Sequence, residues 1–277
     1  MVCRVRISWA VVGFAFLLCP VGYAFADEAL LRMATTTSTD NTGLLDYLAP
    51  HFKSDTGVQW QWIAVGTGKA LELGKNCDVD VLLVHAPEAE KKYVAAGFGV
   101  DRRQVMYNDF IIIGPKEDPA GAKGLSAIDA LKAISQKRAV FASRGDESGT
   151  HKMELSLWQD AGLPVPDKEP WYVQTGQGML STITIAAEHE GYTLADRGTY
   201  ITYEANQQGT PPLVILVGGD PQLYNQYSVM AVNPDRCGNV HYDLAVEFIK
   251  WITSPKIQKL IADFKLKGKQ LFVPNAN

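Results

Sequence analysis

Ala139-Val140-Phe141-Ala142-Ser143-Arg144-Gly145-Asp146-Glu147-Ser148-Gly149-Thr150-His151 is a short apolar run, a tight polar loop, and the start of an amphipathic segment reaching from Met153 to Ala161. That order reads as strand, loop and helix N-terminus. At a helix N-terminus the first N–H groups lack intrahelical acceptors, and the macrodipole leaves partial positive charge there. With the Ser148 and Thr150 hydroxyls and the Arg144 guanidinium, these are the parts of an anion site. The same residues would also serve a plain helix cap, or a loop organised on Asp146.

Three other loops share this setting. Ala34-Thr35-Thr36-Thr37-Ser38-Thr39-Asp40-Asn41-Thr42-Gly43 follows a first strand and opens a first helix. Val65-Gly66-Thr67-Gly68-Lys69 follows a second strand, and Thr175-Gly176-Gln177-Gly178-Met179 follows Trp171-Tyr172-Val173. Any one of them reads most simply as an N-cap. Five hydroxyl residues in a row, Thr35 to Thr39, exceed what one cap can use. In open α/β sheets ligands collect outside the carboxyl ends of strands. Here those ends carry hydroxyls, glycines and a guanidinium, a lining suited to a small hydrated anion and poor for an apolar ligand.

Strand and helix patterns alternate along the whole chain, which predicts an α/β fold. Strands are expected at 31–34, 58–65, 79–84, 110–113, 138–142, 171–174 and 213–217. Helices are expected at 43–54, 87–96, 126–136, 150–161, 179–190 and 198–207. A long amphipathic helix over 242–264, interrupted near Pro255, closes the chain. Pro50 falls inside the first helical pattern and predicts a kink there.

Arg4 and Arg6, an apolar run from Ile7 to Leu18, Pro20 and the small-x-small triplet Ala24-Phe25-Ala26 form a Sec-type secretory signal with cleavage after Ala26. The apolar run is too short to span a bilayer. Leu18 before Cys19 is not the small residue a lipid-anchored signal needs, and Val5 between the arginines argues against a twin-arginine signal. Removing residues 1–26 leaves 251 of 277, and takes 26 basic residues to 24 against 30 acidic ones, a net charge of −6. No basic stripe with interleaved aromatics is present, which excludes nucleic acid as the expected partner. Cys77 and Cys237 remain, and in an oxidising compartment the isolated pair predicts one disulfide, with two buried thiols the alternative. The five histidines are scattered, and no Cys/His cluster has metal-ligand spacing. No bound metal cation and no cofactor are expected.

Sharper motifs fail on inspection. Gly66-Thr67-Gly68-Lys69-Ala70 ends like a P-loop, but Ile63 stands at its first glycine and Ala70 at its Ser/Thr. Gly176-Gln177-Gly178 lacks the third glycine of a dinucleotide fingerprint. Gly145-Asp146-Glu147-Ser148-Gly149 is one residue out of register for a nucleophile elbow.

Taken together, the 34–39 threonine run, Asp78-Val79-Asp80-Val81-Leu82-Leu83-Val84-His85-Ala86-Pro87, Asn108-Asp109-Phe110, the Ser143 to Thr150 loop and Thr175-Gly176-Gln177-Gly178-Met179 resemble tungstate-binding proteins of bacterial ABC importers, the TupA type. The resemblance covers essentially the whole exported chain. It implies a type II periplasmic binding protein fold, two α/β lobes joined by a two-segment hinge and closing on one oxyanion. It implies a periplasmic carrier, monomeric by default, that hands its ligand to an inner-membrane permease. The ligand contacts it implies are Thr35, Thr36, Thr37, Ser38, Thr67, Arg144 and Thr150. Ser148, Gly149 and Thr175 join them as donors in the same loops. Arg197 is a further candidate, although pairing with Asp196 or a surface role explains it as well. The Cys77/Cys237 pair lies outside the motifs that carry the resemblance.

Two extended segments, Val105 to Ile113 and Gln226 to Asn233, are placed to be the interlobe crossings. Lobe 1 is then 27–107 plus 230–277, and lobe 2 is 108–229. A disulfide would staple the two chain segments of lobe 1. Two other readings stand beside tungstate capture. One is the same role for molybdate, phosphate or sulfate, since hydroxyl and N–H donors serve any tetrahedral oxyanion; tungstate over molybdate rests on the resemblance alone. The other is an exported serine hydrolase using Ser148 with His151, for which no motif is in register.

Overall fold

The computed structural model describes residues 29–276, and the expected signal peptide, residues 1–26, lies outside them. The chain runs through β1 (Leu30–Thr36), α1 (Thr37–Asp40), α2 (Leu44–Thr56), β2 (Gln59–Val65), α3 (Thr67–Lys75), β3 (Val81–Val84) and α4 (Pro87–Ala95) into a long strand, β4 (Gly99–Pro115). It continues with α5 (Ala127–Lys137), β5 (Phe141–Ser143), α6 (Gly149–Asp160), β6 (Tyr172–Gln174), α7 (Met179–Glu188), β7 (Tyr192–Asp196), α8 (Arg197–Asn206) and β8 (Leu213–Val217). It returns along β9 (Tyr224–Val232) and ends in α9 (Tyr242–Ile252), α10 (Pro255–Asp263) and the two-residue strands β10 (Lys265–Leu266), β11 (Lys269–Gln270) and β12 (Val273–Pro274).

Two wings share one hydrogen-bonded path, β2-β1-β3-β9-β4-β7-β5-β6. In the first wing β1 pairs in parallel with β2 and β3, and β9 closes antiparallel on β3. In the second, β5 pairs in parallel with β6 and β7, and β4 closes antiparallel on β7. Each wing therefore has the order second, first, third, then an antiparallel strand arriving from the other half. β4 and β9 are the crossings. β4 pairs with β9 as far as Asp109 and with β7 and β8 from Phe110 onward. These are the two α/β lobes of a type II periplasmic binding protein.

Both faces of each wing are covered by helices, as parallel strands require. The four residues of β3 are all fully buried, which is why the sequence shows a continuous apolar run there. In lobe 1, α2, α9 and α10 pack Leu48, Phe52, Phe248 and Ile257 on one face, and α3 and α4 pack Ala70 and Tyr93 on the other. In lobe 2 the faces are held by Leu131, Phe141 and Trp158, and by Ile113, Ile183 and Tyr200.

Two expectations change. The strand placed at 110–113 is the second half of a much longer one, because β4 serves both lobes. β7 was not expected, since Tyr192 to Asp196 is short and mixed in character. The interruption expected near Pro255 divides the C-terminal pattern into α9 and α10, with Pro255 at the first turn of α10, where its missing N–H leaves no bond unmade. Pro50 lies within a single helical span, α2, whose buried face Leu44, Leu45, Leu48 and Phe52 runs past it.

Cys77 and Cys237 are bonded, with Cα atoms 5.4 Å apart. Cys77 follows α3 in a left-handed turn at φ 64°, and Cys237 lies in the loop after β9. No helix among the described residues is long and apolar enough to cross a membrane.

Candidate anion-binding site

The carboxyl ends of the parallel strands of both wings bring their loops to one cleft. At the end of β1, Thr36 leaves the strand at ψ 150° and its hydroxyl accepts the Thr39 N–H at 3.2 Å, starting the single turn α1. At the end of β2, Gly66 precedes α3 with no side-chain cap, so the first N–H groups of that helix keep their donors free. At the end of β3 stands His85.

Opposite them, the Arg144 loop is folded by its own polar groups. Asp146 accepts the Ser148 N–H through Oδ1 and Arg144 Nη2 through Oδ2. The Ser148 hydroxyl accepts the His151 N–H at 3.3 Å and caps α6. Gly145 sits at φ 59°, and a Cβ there would lie 3.0 Å from the Gln174 Cβ, so the loop needs glycine at this position for its conformation and its space. Burial pushes the Asp146 carboxyl up, but the Ser148 hydroxyl and N–H and the Arg144 charge together outweigh it and hold the group below the usual carboxylate range. Arg144 Nε is buried with no hydrogen-bond partner.

These loops enclose a cavity of roughly 260 Å³. Lobe 1 supplies Thr36, Thr37, Ser38, Gly66, Thr67 and His85; lobe 2 supplies Arg144, Ser148, Gly149, Thr150 and Asp196; the crossing strands supply Asn108, Asn225 and Tyr227. A second space of roughly 530 Å³ opens outward from it, sharing Thr37, Ser38, Arg144 and Asp196 and adding the N-terminal turn of α7 from Gly178 to Ser181. The lining is largely hydroxyls, side-chain amides, backbone N–H groups and one guanidinium, with the His85 ring, the Asp196 carboxylate and the Tyr227 phenol as its other ionisable groups. A small oxyanion matches this chemistry.

Eight of the residues singled out from the sequence line that one cavity: Thr36, Thr37, Ser38, Thr67, Arg144, Ser148, Gly149 and Thr150. Three lie elsewhere. Strand alternation turns the Thr35 hydroxyl onto the neighbouring strand, where it donates to the Leu83 carbonyl at 2.8 Å. The Thr175 hydroxyl is 2.8 Å from that of Thr182 and accepts the Gln177 N–H. Arg197 pairs with Asp109 through Nε and Nη2, the latter at 2.6 Å from Oδ2. It does not pair with Asp196, because that carboxylate caps α8 on the Thr199 N–H and hydroxyl.

His85, Asn225, Tyr227 and Asp196 were not found from the sequence. His85 gave one usable signal: a polar residue directly after a fully apolar strand, at the ligand-binding end. The His85 ring stacks on Tyr227 with centroids 4.7 Å apart, and Nδ1 is 2.9 Å from Asn225 Oδ1. Burial holds its pKa below that of an ordinary histidine, against smaller opposing effects of Asn225 and Asp196. His151, by contrast, turns its ring to the Glu147 N–H at 3.0 Å, so it is not disposed as a base toward Ser148. Among the described residues no group of three or more His, Cys, Asp or Glu side chains could hold a metal ion.

A model of the PBP superfamily domain matches residues 26–256. The chain is 55% identical over 239 residues to the tungstate-binding protein TupA of Campylobacter jejuni, covering 86% of this chain and 88% of that one. It is 64% identical to the tungstate-binding protein TupA of Desulfovibrio alaskensis G20, whose solved structure it matches with a TM-score of 0.89 over 90% of this chain and all of that one. The solved structure described as the tungstate ABC transporter from Geobacter sulfurreducens is 51% identical, with a TM-score of 0.73 over 85% of this chain and 98% of that one.

Proposed function

The chain belongs to the TupA-type tungstate-binding family of the PBP superfamily, and from that premise we propose that it captures tungstate in the cleft and delivers it to an ABC importer permease. It is a monomeric periplasmic solute-binding protein and not an enzyme. The observation that carries the reading is the polar cavity in which Ser38 and Thr67 of one lobe and Arg144 and Thr150 of the other line the same space.

The mechanism follows from where those donors sit. A tetrahedral dianion gains hydrogen bonds from both lobes only when the lobes close on it, and that differential contact biases the hinge toward the closed state. Arg144 brings the full positive charge, and the N-termini of α3 and α6 bring N–H groups aimed at the anion. We assign Thr36, Thr37, Ser38, Thr67, Arg144, Ser148, Gly149 and Thr150 as the contact set, with Thr35, Thr175 and Arg197 supporting its walls. We place the lobe boundary at 27–107 plus 230–277 against 108–229. The change of partner along β4 and the pairing of Asn108 with Asn225 support that boundary.

Titration calorimetry with tungstate, and with molybdate, sulfate and phosphate as competitors, tests the reading. Arg144→Glu is expected to abolish binding. Arg144→Lys keeps the charge, loses the planar fork, and is expected to weaken binding less. Unchanged affinity in Arg144→Glu would remove the site. Asp196 favours one second reading, since a carboxylate in the cavity can accept from a protonated oxyanion such as phosphate. Phosphate displacing tungstate at comparable concentration would select it.

A further inference from the structure

His85 lies at the centre of a polar relay between the cavity and the crossing strands. Asn225 Nδ2 donates to Asn108 Oδ1 at 2.8 Å and to Tyr227 Oη at 3.4 Å, which turns Asn225 Oδ1 toward the histidine ring as an acceptor. Nδ1 of His85 therefore carries the proton, and in the neutral ring Nε2 is left as a lone pair. Two hydroxyls face that lone pair, Thr36 Oγ1 at 3.0 Å and Ser38 Oγ at 3.1 Å, and one in-plane lone pair takes one proton.

The surroundings decide which hydroxyl donates. Thr36 is buried, already accepts the Thr39 N–H, and has Thr39 Oγ1 at 2.6 Å as a second neighbour. A buried hydroxyl proton without an acceptor is costly, whereas Ser38 is exposed and lines the cavity. Ser38 Oγ is also 3.1 Å from Thr36 Oγ1. With the Thr39 N–H and the buried Thr39 hydroxyl on its two lone pairs, Thr36 has none left to accept it. Giving the Thr36 proton to the ring then leaves the Ser38 proton facing the space between the lobes.

We propose that His85 is a positioning residue for oxyanion capture: held as the Nδ1–H form by Asn225, it consumes the Thr36 proton and so commits the Ser38 hydroxyl to donate to the anion. The proposal rests on the tungstate-capture reading. Asp196, across the cleft, is the charged group facing the ring, and Tyr227 is the titratable group stacked on it. The relay also ties the anion-facing hydroxyls to the Asn108–Asn225 pair, where β4 and β9 cross between lobes.

Nitrogen-15 spectra of the wild-type imidazole at neutral pH are expected to show Nδ1 protonated and Nε2 bare; an Nε2–H ring would overturn the proposal. Tungstate titration then compares wild type, His85→Phe, Ser38→Ala and the double variant. His85→Phe keeps a ring on Tyr227 and removes both nitrogens, and Ser38→Ala removes the committed donor. Each is expected to weaken binding at least about tenfold, with no further loss in the double variant, because both remove the same bond. Losses that add, or wild-type affinity in His85→Phe, overturn the proposal. So does a lowered ligand-free unfolding midpoint with affinity retained, the result of a merely structural histidine. Wild type that fails to bind tungstate would instead overturn the functional reading, and Arg144→Glu run alongside keeps the two failures apart.

Discussion

Arg144 and Asp146 are ion-paired across one intervening glycine, with Arg144 Nη2 2.5 Å from Asp146 Oδ2, while Arg144 Nε stays buried and unpartnered. The carboxylate thus holds one edge of the guanidinium and leaves donors for a ligand. Its other oxygen accepts the Ser148 N–H, so one side chain sets both the arginine and the start of α6. Asp146→Ala removes both bonds and is expected to weaken tungstate binding roughly tenfold, the scale of a charge-assisted bond. Asp146→Asn still accepts from Ser148 and is expected to fall between that variant and wild type in the same titration. Equal affinity in all three would show that Asp146 does not orient the site.

Arg197 and Asp109 make the contrasting pair. Asp109 is buried, and its Oδ2 also accepts the Gly219 N–H at 3.0 Å, so the ion pair fastens β4 to the start of α8 and to the loop after β8. Arg197→Ala leaves a buried carboxylate without its cation and is expected to cost about 3 kcal/mol of stability. Its effect on tungstate affinity is expected to be small, because the side chain is not in the anion cavity. Denaturant unfolding paired with titration separates the two. A large affinity loss at unchanged stability would return Arg197 to the ligand set.

The contrast shows what the sequence could and could not tell. Loops at the ends of apolar strands were legible because hydroxyls and glycines concentrate there, and eight residues chosen on that pattern line one cavity. Direction was not legible. Thr35 and Thr36 are adjacent and alike, and only strand alternation sends one hydroxyl to Leu83 and the other into the site. Arg197 is next to Asp196 in sequence, yet helix capping takes that carboxylate and leaves Asp109, 88 residues away, as its partner. His85 and Asn225 are 140 residues apart and meet only because β9 returns between β3 and β4. No local pattern contains that meeting.

Cys77 and Cys237 join the end of α3 to the loop after β9, and both segments pack in lobe 1. The bridge closes a loop that includes the whole of lobe 2, so reduction frees a large share of denatured-chain entropy. Replacing both cysteines by serine is expected to lower stability by about 2–5 kcal/mol. Tungstate affinity is expected to hold, since neither residue lines the cavity and the bridge does not cross the hinge. Thermal unfolding and titration of the double variant check both parts; a matching loss of affinity would place the staple in the closing motion.

Glu154, in the second turn of α6, is buried, and its Oε1 accepts the Trp158 N–H at 3.1 Å and the Tyr172 hydroxyl at 2.6 Å. Burial pushes its carboxyl above the usual range, although those hydrogen bonds and the nearby His151 pull the other way. An unfolded glutamate titrates near about 4.3. Above that pH the folded chain still holds a proton the unfolded chain has released, so the stabilisation is complete below the unfolded value. It is lost as pH rises through the raised folded value. Glu154→Gln keeps the Oε1 acceptor and cannot ionise. It is expected to match wild type near pH 4 and to unfold a few degrees higher, roughly 2–4 °C, at pH 8. Glu154→Ala leaves the Tyr172 and Trp158 donors unpaired around a cavity and is expected to be less stable at every pH. Calorimetric scans at pH 4, 6 and 8 decide it: parallel curves for wild type and Glu154→Gln would mean that Glu154 titrates alike in the folded and unfolded chains, with no pKa raised by burial.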